Sequence, residues 1–300
     1  MNGQRSNSEA RFTMSSIRRL CPRIYTFDLG RFRIATLLDF AEARDGLGAS
    51  FAVGQPETVL RQLAAANYID ADRYEHPFIP TLVDTGSTKV LFDTGLGAPE
   101  GSLVACLNEL GIKPHDIDMV VLTHGHPDHI GGLVQDNAPV FTRARHVFGA
   151  AEFAFWMQDK GIREARLDSR DLFVRICARL ADLTVFVEPG QQILPGITAI
   201  DAAGHSPGLM AFSVESEGKR LLIWSDTCLH YAASVQHPEW HAHFDDDKEK
   251  AVATRQRLLA MAADQRLLVA GHHMPFPGLG YVERAKGSFR WLPVSYQLNL

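Results

Sequence analysis

Four side chains that can bind a metal ion lie within six residues of the sequence: His124, His126, Asp128 and His129. They directly follow an apolar run, residues 119–122, which is typical of a buried strand. Gly125 permits an unusual backbone angle, and Pro127 suits the first turn of a helix. Three imidazoles and a carboxylate are the ligands expected for zinc or another first-row ion. The spacing therefore predicts a metal site at a strand end.

Later parts of the sequence contain three candidates that could complete this site: His205, Asp226 and His272. Each follows a predicted strand, and strand ends at one edge of a fold converge on a common cavity. Together with the first motif they provide seven ligands, enough for two ions if one carboxylate bridges them. Four other histidines lie in a polar loop and are interpreted as rim or surface residues: His230, His237, His241 and His243.

Alternating and helical patterns predict the elements that carry these residues. The strands are expected at residues 23–29, 33–39, 78–84, 89–93, 117–123, 145–149, 184–187, 197–200, 210–214, 221–224 and, as the last one, 266–270. Helices are expected at residues 103–110, 150–157, 171–183 and 246–263. Residues 41–77 show little strand character beyond a helical patch at 57–66, and a segment of this kind forms either a lid or a dimer arm.

Asp93 follows one of the predicted strands and begins the tight turn Asp93-Thr94-Gly95. Metal-bound imidazoles usually donate their second N–H to a carboxylate or carbonyl. Asp93 is therefore either the hydrogen-bond acceptor of a ligand histidine or a turn residue that caps the next helix.

Composition narrows the class of protein. The chain has 300 residues, 46% of them hydrophobic, and a net charge of −5. It has enough apolar residues for a large core, and it lacks the basic blocks that favour nucleic acid or an anionic membrane as the main partner. A small-molecule substrate is the partner that remains.

The cysteines and the N-terminus indicate a cytoplasmic protein. No Cys-x-x-Cys pair occurs, so neither a cysteine zinc site nor a disulfide framework is expected from Cys21, Cys106, Cys177 and Cys228. The first residues are polar and lack the apolar region of a signal peptide. We expect a disordered tail at residues 1–16 and a single domain at 17–300.

The ligand pattern resembles that of the metallo-β-lactamase-fold hydrolase superfamily over about residues 20–300. Within it, the C-terminal part, including Pro275-Phe276-Pro277-Gly278, is similar to the methyl parathion hydrolase and lactonase-like branch. The resemblance implies an α/β fold, a four-layer αββα sandwich, and a homodimer. It also implies a first ion held by His124, His126 and His205, a second held by Asp128, His129 and His272, and Asp226 as the bridge.

The same resemblance implies a hydrolase with two divalent ions, with Zn²⁺ preferred and Mn, Fe or Co also accepted by such ligands. A water bridging the two ions supplies hydroxide near neutral pH. Asp128 or Asp226 then carries a proton to the leaving group. The expected reaction is cleavage of a lactone or carboxylic ester, with phosphotriester (organophosphate) hydrolysis as a side activity.

The resemblance places Trp156 and Phe173 in an apolar substrate pocket. Leu229 belongs to the same region, at the position where acyl-homoserine-lactone hydrolases of this superfamily commonly have a tyrosine. Two alternatives share the first motif. One is a thioesterase or glyoxalase-II-like hydrolase, which needs a cationic site, and the other is a non-catalytic metal-binding protein of the same fold.

Overall fold

The computed structural model describes residues 22–158 and 162–294. The tail predicted for residues 1–16 and Cys21 lie outside the described residues. The strands are β1 (Ile24–Leu29), β2 (Phe32–Leu37), β3 (Phe40–Asp45), β4 (Arg73–Phe78), β5 (Thr81–Asp84), β6 (Lys89–Phe92), β7 (Met119–Leu122), β8 (Val134–Gln135), β9 (Ala138–Pro139), β10 (Arg145–Gly149), β11 (Thr184–Val187), β12 (Gln192–Leu194), β13 (Ile197–Asp201), β14 (Met210–Ser216), β15 (Lys219–Ile223), β16 (Leu268–Ala270), β17 (Leu279–Ala285) and β18 (Ser288–Pro293). The α-helices are α1 (Leu47–Phe51), α2 (Glu57–Asn67), α3 (Leu103–Glu109), α4 (Pro127–Ile130), α5 (Ala150–Trp156), α6 (Leu167–Cys177), α7 (Ala233–Gln236) and α8 (Lys248–Asp264).

Two seven-stranded sheets form the centre of the molecule, in the orders β1-β2-β5-β6-β7-β10-β11 and β12-β13-β14-β15-β16-β17-β18. In the first sheet β7 pairs in parallel with both β6 and β10, and all four of its residues are buried. A strand that is covered on both faces is apolar throughout, which explains the run Met-Val-Val-Leu. In the second sheet β15 and β16 form the parallel pair.

Apolar side chains fill three layers of core. Between the sheets, residues such as Val90 and Val121 meet Phe212 and Ile223. The outer face of the first sheet packs against α3, α5 and α6. The outer face of the second sheet packs against α7 and α8, where Leu258 and other residues of α8 are buried. The three layers of core lie between four layers of secondary structure: helices, two sheets and helices. This is the four-layer αββα sandwich, so the predicted fold class is confirmed.

The largest differences from the sequence-based prediction concern two pairs of strands; the short strands β8, β9 and β12 were also not predicted. Residues 41–77 were expected to have little strand character, but β3 and β4 at the ends of this segment pair in antiparallel register, with α1 and α2 between them. The strand at 266–270 was expected to be the last, but β17 and β18 follow it and complete the second sheet. None of the described helices is long and apolar enough to cross a membrane.

Candidate metal centre

The candidate ligands lie at one edge of the two sheets, each directly after a strand. The chain leaves β7, passes through His124 and His126, and starts the short helix α4, which contains Asp128 and His129. His126 is extended, with φ −74° and ψ 155°, and Pro127 occupies the first helical turn. Because of this turn, His124 and His126 point to one position, and Asp128 and His129 of α4 point to a neighbouring position.

The second sheet supplies the remaining ligands from three further strand ends. His205 follows β13, Asp226 lies in a 3-10 turn after β15, and the pair His272–His273 follows β16. The structure therefore brings together all seven residues predicted from the sequence, and adds His273. They form two groups in which potential ligand atoms lie within 4.8 Å of one another: His124, His126, His205 and Asp226; and Asp128, His129, His272 and His273.

The first group is compact. The Nε2 atoms of His124 and His205 lie 2.8 and 3.0 Å from Nδ1 of His126. The Nε2 atom of His205 is also 3.3 Å from Oδ2 of Asp226. Burial lowers the pKa of His124 and His126 well below the usual histidine value. Neutral rings present nitrogen lone pairs, so these atoms can bind one cation.

Asp226 reaches the second group with both carboxylate oxygens. Its Oδ1 lies 3.2 Å from Nε2 of His129, and its Oδ2 lies 3.0 Å from Nε2 of His273. Asp128 Oδ2 is 3.4 Å from the same atom of His273. Asp226 is thus the residue that faces both groups.

Two observations show that the residues fit positive ions. Oδ1 of Asp226 and Nε2 of His129 are buried without a hydrogen-bond partner, although they face each other. Burial lowers the pKa of His129 and His273, but the carboxylates around them raise it more, so both end above their usual value. Carboxylates this close to the rings favour positive charge at this point of the site. Divalent ions suit this combination of buried imidazole and carboxylate ligands.

Hydrogen bonds hold the second ring nitrogen of His129 and of His205. Nδ1 of His129 lies 2.9 Å from Oδ2 of Asp93, so this aspartate acts as the acceptor for a histidine of the candidate centre, one of the two roles predicted for it. Nδ1 of His205 lies 2.9 Å from Oδ1 of Asp245, which in turn pairs with the buried Arg255.

His272 and His273 differ in their surroundings. His273 donates from Nδ1 to the carbonyl of Pro77, at 3.0 Å, which turns Nε2 towards Asp226. The Nε2 atom of His272 is buried without a hydrogen-bond partner, and its ring packs against His129, with the centroids 4.1 Å apart. The sequence-based prediction named only His272, the first histidine after the strand. The sequence of the pair itself does not show which of the two histidines faces the site.

A cavity of about 190 Å³ opens onto the ligands. Its wall includes Leu229, as predicted, and residues from the β3–β4 pair, among them Arg44 and His76. The segment 41–77 therefore shapes the mouth of the site, which the sequence left open. Trp156 and Phe173 do not line this cavity: both are fully buried. The indole of Trp156 is turned into the core, where it packs edge-on behind His126.

Among the loop histidines interpreted as rim or surface residues, His230 is buried, and its Nδ1 accepts hydrogen bonds from the backbone N–H groups of Ala232 and Ala233. Sequence reasoning also missed Asp245 and Glu152. Their partners in the ligand-bearing loops are distant in sequence, so only the folded chain shows these contacts.

Comparisons with known proteins agree with this geometry. The N-acyl homoserine lactonase AiiB of Agrobacterium fabrum is 25% identical over 69% of this chain and 77% of its own length. The N-acyl homoserine lactonase of Bacillus cereus is 23% identical over 58% of this chain. That match covers 62% of the Bacillus protein. A ribonuclease Z from Methanopyrus kandleri is 36% identical over 26% of this chain, and this match covers 25% of the ribonuclease. The chain therefore spans less than two thirds of the length of either relative.

Two solved structures are similar over most of their length. The dizinc quorum-quenching lactonase AidC, solved with the product N-hexanoyl-L-homoserine, has a TM-score of 0.86 and 26% identity over 91% of this chain and 98% of its own. The hydrolase AbOPH has the same TM-score with 24% identity over 93% of this chain and 100% of its own, and shows the shared fold. The model of the metallo-beta-lactamase superfamily matches residues 80–273, well over half of the sequence. The chain therefore belongs to the metallo-beta-lactamase superfamily.

Proposed function

We propose that this protein is a dinuclear metal-dependent hydrolase that opens lactone rings, with N-acyl homoserine lactones as the first substrates to test. One observation carries the proposal: Asp226 directs its carboxylate towards both ligand groups, with Oδ1 3.2 Å from His129 and Oδ2 3.3 Å from His205. The similarity to AiiB and to the dizinc lactonase AidC supports the substrate class.

In this proposal His124, His126 and His205 would hold the first ion. Asp128, His129 and a histidine of the 272–273 pair would hold the second. Two such ions, when bound, would lower the pKa of a water and polarise the carbonyl of the substrate. Asp128 lines the cavity and its side chain is 18% exposed, compared with 3% for Asp226. Burial raises the pKa of Asp128, but His129 and His273 lower it more. Because Asp128 is the more exposed of the two carboxylates, we assign the proton relay to it: it accepts the proton that the attacking water loses and passes that proton to the leaving alcohol.

Apolar side chains in the cavity wall favour an uncharged substrate. Phe78, Leu96, Leu229 and Phe244 all contribute to its wall. These residues suit an uncharged ring or acyl group. Leu229 has no hydroxyl to offer the substrate oxygen, so this position supplies no tyrosine to assist the reaction.

The charges at the cavity do not favour a glutathione or coenzyme A thioester. Arg44 and Arg166 line the cavity, but each already has acceptors: Glu42 binds Arg44, while Asp246 and the carbonyl of Phe244 bind Arg166. In the described part of the chain, the arginines of this cavity are thus already compensated. We propose phosphotriester hydrolysis only as a side activity, and zinc, the homodimer and the cytoplasmic location stay predictions.

A hydrolysis screen of the zinc-loaded protein tests this function. The panel contains N-acyl homoserine lactones, γ- and δ-lactones, dihydrocoumarin, 4-nitrophenyl esters, an acyl thioester and a methyl-parathion-like triester. We expect a lactone to lead by orders of magnitude in kcat/KM and Asp226→Ala to be inactive. Asp201→Ala, which removes a half-exposed carboxylate of the same sheet, is the matched control and should keep its activity. Turnover of none of these compounds, or a fully active Asp226→Ala, would contradict the proposal.

A further inference from the structure

A buried carboxylate next to the first ligand group has no role in the chemistry proposed above. Glu152 lies in the first turn of α5 and is fully buried. Among the described residues, four groups donate hydrogen bonds to its carboxylate, and all four are neutral. Oε1 accepts hydrogen bonds from N of Gly125 at 2.9 Å, Nε1 of Trp156 at 2.6 Å and Oγ of Ser206 at 2.5 Å, and Oε2 accepts one from N of Gly208 at 2.8 Å.

Three of these four partners belong to the two loops that carry the first histidine group, and the fourth, Trp156, lies in α5 itself. Gly125 lies between His124 and His126, and Ser206 directly follows His205. One carboxylate therefore ties together two loops that are about 80 residues apart in sequence. Burying a carboxylate without hydrogen bonds is costly, so the four donors must stay in place around it, and the loops with them.

Close packing leaves these loops little freedom. A Cβ atom on Gly125 would lie 2.6 Å from the indole of Trp156, and one on Gly208 would lie 2.2 Å from the backbone N of Glu152. Both loops thus press their backbone directly onto α5. The second group has its own support, since Asp93 accepts a hydrogen bond from His129.

We propose that Glu152 is a positioning residue for the first metal site: through its hydrogen bonds to both loops it holds His124, His126 and His205 in register. It has no hydrogen bond to the second group. Loss of its carboxylate should therefore weaken binding of the first ion and leave the second nearly unchanged. This inference rests on the two-ion centre of the proposed function but not on its substrate.

The test is a metal titration of the full chain, in which zinc affinities are measured by competition with a chromophoric chelator. His205→Ala and His129→Ala serve as references that identify the first and the second site. For Glu152→Gln we expect about a ten- to hundredfold loss of affinity at the first site, the range typical of outer-shell changes, and less than about threefold at the second. Asp93→Asn should weaken both sites, because Asp93 accepts hydrogen bonds from His129 and also from Thr123, whose Oγ1 lies 3.2 Å from Nδ1 of His124.

A matched control separates positioning from stability. Asp39 is also a buried carboxylate that accepts backbone N–H groups, those of Leu96 and Leu103, but it does not bind a loop histidine. Asp39→Asn should lower the unfolding midpoint without changing either zinc affinity. If Glu152→Gln does not fold, Ser206→Ala combined with Trp156→Phe removes two of the four donors and should weaken the first site only.

The outcomes are distinct. Equal loss at both sites, or unchanged zinc affinity in Glu152→Gln, would overturn the role of Glu152. A wild-type protein that binds two zinc ions but hydrolyses nothing in the screen would contradict the proposed function alone. A wild-type protein that binds no zinc would contradict both.

Discussion

At the scale of single residues, adjacent side chains differ in how they contact the centre. His273 is anchored by the carbonyl of Pro77 and directs Nε2 to Asp226 at 3.0 Å. It also lines the cavity, which His272 does not. A ligand histidine usually has its second nitrogen held in this way. The resemblance had pointed to His272, but the surroundings favour His273 as the ligand of the second ion.

We predict that His273→Ala lowers zinc affinity at the second site by more than about a hundredfold, a larger change than is typical of an outer-shell residue. His272→Ala, which removes a ring that packs on His129, should cost less than about tenfold. The same chelator competition measures both variants. The reverse order of effects would show that His272 is the ligand.

The residues that the structure brings together could be chosen from the sequence where one short motif carried the information, and at strand ends that could be recognised individually. His124 to His129 needed only local spacing, and His205 and Asp226 needed only their position after a strand. Glu152 could not be found, because an acidic residue on an apolar helix has meaning only through donors from loops 27 and 56 residues away. Non-local hydrogen bonds of this kind leave no spacing pattern in the sequence.

At the scale of elements, strands with strong local patterns were predicted, whereas the β3–β4 and β17–β18 pairs and the short strands β8, β9 and β12 were not. β3 reads Phe-Ala-Glu-Ala-Arg-Asp, a composition of helix formers, and its partner β4 contains Pro77. Pairing within the fold overrides these propensities. The β17–β18 hairpin turns at Lys286 and Gly287, both with positive φ, and this Lys-Gly pair is a weaker turn signal than Asn-Gly.

The loop that carries His205 depends on a glycine that contacts α8. Gly204 has φ +141°, and a Cβ atom there would lie 2.4 Å from the backbone N of Ala251. We predict that Gly204→Ala displaces this loop and weakens the first zinc site. Backbone strain alone costs about 1–3 kcal/mol, and we expect the loss of stability to be larger than this.

Gly190→Ala is the control for that substitution, because Gly190 also has a positive φ, +87°, but a Cβ atom there meets nothing within 4 Å. It should show the cost of strain without a change in zinc affinity. Urea unfolding and zinc competition measure both variants. Equal losses of stability with unchanged zinc affinity in the two proteins would refute the predicted contact effect.

At the scale of the whole molecule, buried neutral histidines couple stability to pH. Burial lowers the pKa of His230 to about 3, against 6.5 for an ordinary histidine. Between these values the unfolded chain binds a proton that the folded chain does not. Stability is therefore lost as the pH falls below about 6.5, with a slope of about 1.4 kcal/mol per pH unit from this group.

His230→Asn removes this titration, and its side-chain oxygen can still accept from the backbone N–H groups of Ala232 and Ala233. We predict that the free energy of unfolding of the metal-free variant falls less steeply between pH 6 and 4, by about 1.4 kcal/mol per pH unit. Urea unfolding at pH 4, 5, 6 and 7 measures the difference, in which contributions common to both proteins cancel. Parallel curves would contradict the assignment.

The two ligand groups draw on both sheets, with His124 and His129 after a strand of the first and His205 and His273 after strands of the second. An ion bound between them would join the halves of the sandwich, so metal supply and folding would be coupled by mass action. At a free metal concentration one hundred times the dissociation constant, each site would add about 2.7 kcal/mol to stability. The abundance of folded protein in a cell would then follow metal availability as well as synthesis.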